Sequence, residues 1–163
     1  MKNFSIFSLI FCLFFSINGC VENYDKNFNL KDPVYKNTGL THKDRKLQQL
    51  IIKDQIFKVE LATDPIKRQR GLMFRKNLPS NQGMLFVFNK QDKHPFWMRN
   101  TLIPLDIIWI SSNKKVVDFQ RATPCKTKNC PYYISGQKAL YVLELNAGDF
   151  KGAIGDKVDF KLN

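Results

Sequence analysis

The chain has 163 residues, 44% of them hydrophobic, and a formal net charge of +12. That length suits one globular domain and excludes a second large one. The aliphatic and aromatic content suffices for a real core, which excludes a wholly disordered chain.

At the N-terminus, Lys2 supplies a short positive start, and Phe4 to Ile17 is apolar apart from Ser5, Ser8 and Ser16. The run has the length of a signal-peptide core and falls short of the about 20 apolar residues that a membrane span needs. It stops at Gly19-Cys20. Together with Ile17, this ending resembles the lipobox of bacterial lipoproteins, although Asn18 departs from the usual small residue. The resemblance implies a signal peptide over residues 1–19 and a lipid on Cys20. An ordinary cleaved signal and a retained short anchor are the alternatives. Stable anchoring takes two or more acyl chains, because one chain binds only marginally at about 0.8 kcal/mol per buried CH₂. On this reading the protein is exported and anchored on the periplasmic or cell-surface side of a bacterial membrane. Its partners are then the membrane, anionic envelope polymers or an envelope protein, and not nucleic acid. General solvation of a lysine-rich surface is the plainer account of the charge.

Residues 20–46 are polar, without helical or strand period, and include Pro33 and Gly39, the composition of a flexible tether. A single domain is expected over residues 47–163. Ile51 to Ala62 alternates as a strand. Thr63, Asp64 and Pro65 then start a helix expected over 64–74, with Gly71 inside it at a cost of about 1 kcal/mol against alanine. Met84 to Phe88 reads as a short strand buried on both faces, and Phe96 to Met98 as another. Leu105 to Ile110 and Val116 to Ala122 form a hairpin around Ser111 to Lys114. Ala139 to Leu145 is a strand, a short helical turn follows up to Gly155, and Lys157 to Leu162 makes the last strand. The fold class is mostly β (α+β). The expectation is a small antiparallel domain, barrel-like or sandwich-like, of about seven short strands and two short helices.

Cys12 falls in the signal and Cys20 is taken by lipid, so the exported domain keeps Cys125 and Cys130. An even pair in an oxidising compartment can form a disulfide. Closing so small a loop is worth roughly 2 kcal/mol, a local clamp on the loop.

Three dense motifs stand in order: Arg70-Gly71-Leu72-Met73-Phe74-Arg75, Gly83 to Phe88, and Phe96-Trp97-Met98-Arg99-Asn100-Thr101 through Asp106. Ala122 to Cys125, Cys130-Pro131-Tyr132 and Tyr141 to Gly148 follow. Together, over residues 53–161, they resemble the prokaryotic family called domain of unknown function 192. The resemblance implies no particular reaction. Arg99 stands where that family often has lysine, which keeps the charge.

The segment from Phe96 to Asp106 holds the densest polar cluster in an apolar setting. In a binding cleft, Trp97 would offer a flat face, Arg99 a positive fork for a carboxylate or phosphate, and Asn100 and Thr101 orienting hydrogen bonds. In a plain strand-to-turn junction the same polar groups satisfy the backbone. Asp106 enters a buried strand and needs a partner, with Arg70 and Arg99 as candidates. Arg70, Trp97, Arg99, Asn100, Thr101 and Asp106 are therefore the candidate ligand-binding residues. An enzyme acting on envelope material would gather Arg70, Arg99, Asn100 and Asp106 in one pocket. A copper-handling protein would gather Met73, Met84 and Met98, with Cys125 and Cys130 as further soft donors. Methionines also fill irregular cores. No catalytic residue is assigned, and no cofactor or metal is implied. His94 is the only histidine of the domain, and the chain has neither a G-x-S-x-G nor a P-loop motif.

Overall fold

A computed structural model describes residues 47–162. The expected signal peptide, Cys20 and the tether lie outside the described residues. Among the described residues, nine strands and one helix follow in chain order: β1 (Gln48–Ile52), β2 (Gln55–Ala62), α1 (Pro65–Arg70), β3 (Gln82–Asp92), β4 (Phe96–Trp97), β5 (Leu105–Ile110), β6 (Val116–Ala122), β7 (Tyr132–Tyr133), β8 (Ala139–Asn146) and β9 (Val158–Phe160).

The mostly β class is as expected, but three elements differ from the sequence reading. The single strand expected over 51–62 is a hairpin. Ile52 pairs with Gln55 across Lys53, whose φ of +50° lets the chain reverse in two residues. The helix stops at Arg70. Asp64 caps its start by accepting from the Lys67 N–H at 2.8 Å, and Gly71 ends it at φ +47°, donating its N–H to the Lys67 carbonyl at 2.9 Å. The turn after Gly148 is no helix. It folds around Asp156, whose carboxylate accepts from the Ala153 N–H at 2.6 Å, and Gly155 at φ +94° supplies the bend.

Seven strands form one curled sheet in the order β6-β5-β8-β3-β2-β1-β9, and β4 and β7 form a separate ribbon. The pairing is antiparallel except between β2 and β3, which run parallel because α1 lies in the crossover between them. Bulges between Val87 and Asp92 and between Trp109 and Ile110 help to curl the sheet into a half-barrel. Each face carries its own core. Leu50, Phe57, Leu85, Ile108, Leu143 and Phe160 fill one. Leu72, Phe86, Met98, Ile107, Trp109 and Val142 fill the other, under the segments 71–78 and 96–103. That is why all six residues of β5 are buried.

Candidate binding surface

The β4–β7 ribbon places three of the candidate residues together. Trp97 is opposite Tyr132, and their rings stack at 5.7 Å and 5°. The Arg99 guanidinium lies over the indole, 5.4 Å from its centre. Arg99 also bridges to Cys125, so the ribbon continues into the loop closed by the Cys125–Cys130 disulfide. That loop carries the exposed Lys126 and Lys128, and Tyr132 beyond it is 50% exposed. Guanidinium and phenol thus both pack on the indole, and two lysines are exposed on the adjoining loop. An extended anion with flat apolar faces, such as an acidic polysaccharide, fits that chemistry.

Asn100 and Thr101 serve the turn. Asn100 has φ +58°, and its carbonyl accepts from the Phe74 N–H at 2.8 Å. Thr101 is buried and donates its N–H to Met98 at 3.1 Å. Arg70 ends α1, and its carbonyl accepts from the Met73 N–H at 3.0 Å.

Asp106 belongs elsewhere, and its partner is neither Arg70 nor Arg99. On β5 it alternates with Ile107 and Trp109 and so points to the opposite face. There its carboxylate accepts from Arg121 at 2.9 Å, from the Gly148 N–H at 2.6 Å and from the Phe150 N–H at 3.4 Å. It is a structural knot between β5, β6 and the turn after β8. Arg70, Arg99, Asn100 and Asp106 therefore do not share one pocket. Met84 and Met98 pack in the second core, and Met73 is buried. Cys125 and Cys130 are bonded to each other and present no thiolates. His94 stacks on Phe88 at 3.5 Å, and burial holds its pKa below the ordinary value.

One group was not singled out from the sequence. Glu60, Met84, Glu144 and Ile107 form a row across β2, β3, β8 and β5. Arg75 donates to both oxygens of Glu60, at 2.6 and 2.8 Å. Glu144 is buried at 5% exposure, and among the described residues its Oε2 has no hydrogen-bond partner. Burial pushes its pKa up to about 8, while the nearby charge of Arg75 pulls it down. The available signal was a lone acid inside the apolar strand 139–145.

A family model described as DUF192, Uncharacterized ACR, matches residues 48–160. A UPF0127 protein of Thermococcus sibiricus is 31% identical over 64% of this chain and 67% of its own length. Another from Thermococcus kodakarensis is 36% identical over 56% of this chain, which spans only 62% of that relative. A crystal structure from Sinorhizobium meliloti, of a protein suggested to be a transcription regulator, has a TM-score of 0.65 at 31% identity and covers 71% of this chain and 95% of that one. A protein of unknown function from Novosphingobium aromaticivorans matches with the same TM-score at 32% identity, over 72% and 88% of the two chains. The chain belongs to the DUF192 family.

Proposed function

We propose that this protein is an exported, membrane-anchored lipoprotein whose domain binds an anionic polymer of the cell envelope without catalysing a reaction on it. The carrying observation is the stack of Arg99, Trp97 and Tyr132 beside the disulfide loop with Lys126 and Lys128. Stacked rings grip flat apolar faces, and the cations select negative charge. The net charge of +12 adds long-range attraction to an anionic polymer. The terminal Gly19-Cys20 pair supports the address.

Polygalacturonate, a polysaccharide with a carboxylate on every sugar, is a suitable probe for the full chain. Arg99→Ala should weaken its binding about five-fold, a loss of about 1 kcal/mol. Raising the ionic strength from about 0.05 M to about 0.5 M should weaken it further, because exposed charges are screened. Binding that ignores both changes, or no binding at all, would refute the reading.

A further inference from the structure

A buried carboxyl oxygen without a partner among the described residues calls for a physical explanation. The Glu144 side chain stands beside Met84 on β3 and Ile107 on β5, in a core face that includes Phe86, Met98, Ile103 and Val142. None of these titrates. The strap Gly71–Arg75, which follows α1, lies over it. A Cβ at Gly71 would stand 3.8 Å from Glu144 Oε2 and 3.2 Å from the Phe86 ring. The strap is tied down in two places. Arg75 is ion-paired with Glu60, and the Phe74 N–H donates to the Asn100 carbonyl at 2.8 Å. Phe74 is 45% exposed and has φ +64°, a left-handed conformation that a bulky residue keeps only when its surroundings impose it. Asn100 directly follows Arg99. The charged groups on the elements around Glu144 are therefore Arg75 and Arg70 on either side of the strap and Glu60 on β2.

We propose that protonation of Glu144 regulates ligand binding at the Trp97–Arg99–Tyr132 stack, by fixing the strap Gly71–Arg75 and, through Phe74 and Asn100, the segment that carries Arg99. The proposal rests on the binding reading above. At neutral pH the carboxyl keeps its proton, since its pKa is raised to about 8. When the proton leaves, a bare charge sits in an apolar core, and Arg75 is the cation whose field it already feels. The charge draws Arg75 away from Glu60 or draws water in beneath Gly71, and either movement releases the strap.

The test compares the full chain with Glu144→Gln, which keeps the neutral shape, between about pH 6 and about pH 9.5. Polygalacturonate affinity should fall about five-fold from pH 7 to pH 9 in the parent and change less than about two-fold in the variant. Equal pH dependence in the two proteins overturns the proposal. Amide exchange at Met73 and Phe74, corrected for the intrinsic effect of pH, provides a second readout without polymer. It should accelerate above pH 8 in the parent alone, and identical profiles overturn the switch. If the parent binds no polymer at any pH, the binding reading fails, and the exchange difference alone decides whether Glu144 controls the strap. Arg75→Ala guards against a misfolded glutamine variant. It should show fast strap exchange and weak binding at every pH, and a strap still protected in it overturns the proposal.

Discussion

Met84, Glu144 and Ile107 stand side by side on adjacent strands, and of the three only Glu144 needs a proton to rest in an apolar core. The ordinary carboxyl value is 4.5, whereas in the fold it is about 8. Between these values the folded state binds a proton that the unfolded chain has lost. Raising the pH therefore lowers stability, by at most about 1.4 kcal/mol per pH unit, and the loss levels off above the folded value. Glu144→Gln should be the more stable protein at pH 8, and its advantage should shrink toward pH 5. Urea unfolding at several pH values checks this, and a constant difference would mean that Glu144 does not titrate as described. Asp106 is the opposite case, a buried acid with every need met. Its partner follows from register, because Asp106 faces Arg121 directly across the β5–β6 hairpin. The hairpin is legible in the sequence, but the register that pairs Asp106 with Arg121, and not with Arg70 or Arg99, is set by the bulge between Trp109 and Ile110.

Strands were the most legible elements, because their signal is local. The alternation in 116–122 and the apolar run 105–110 map onto β6 and β5. The end of α1 was not legible. Arg70 through Phe74 keeps helical spacing, but Gly71 turns at φ +47° where its missing side chain leaves room for Phe86 and Glu144, a contact made across the fold. The ribbon β4–β7 was half legible. Trp97 and Arg99 stood out by type, while Tyr132 joined them only through pairing over 34 intervening residues. The disulfide clamps that ribbon, and only its partly buried Cys125 packs against the second core. Replacing both cysteines by serine should lower global stability by no more than about 2 kcal/mol. The same change should raise amide exchange through residues 125–133 and weaken polymer binding more than it lowers the melting temperature. A large drop in melting temperature with unchanged binding would assign the disulfide to the fold instead.

Across the described residues as a whole, one sheet separates two cores, and the two edges of the sheet approach each other. Lys115 bridges Lys157, the Val116 N–H donates to Asp156 at 2.9 Å, and the Val158 N–H donates to Lys114 at 2.8 Å. On its other side β9 pairs with β1. Val158 and Phe160 from β9 both point into the first core. Truncation after Gly155 should therefore remove more than three strand residues. The shortened chain should lose cooperative unfolding in urea, and a retained sharp transition would show β9 to be an ornament. The closing strand also follows the other six sheet strands in the chain. A chain emerging N-terminus first has six of the seven sheet strands out before the strand that joins the edges. Its native contacts are mostly long-range, which makes early folding slow. The sheet of such a polypeptide stays open until β9 is in place, because among the described strands it is β9 that brings the two edges together.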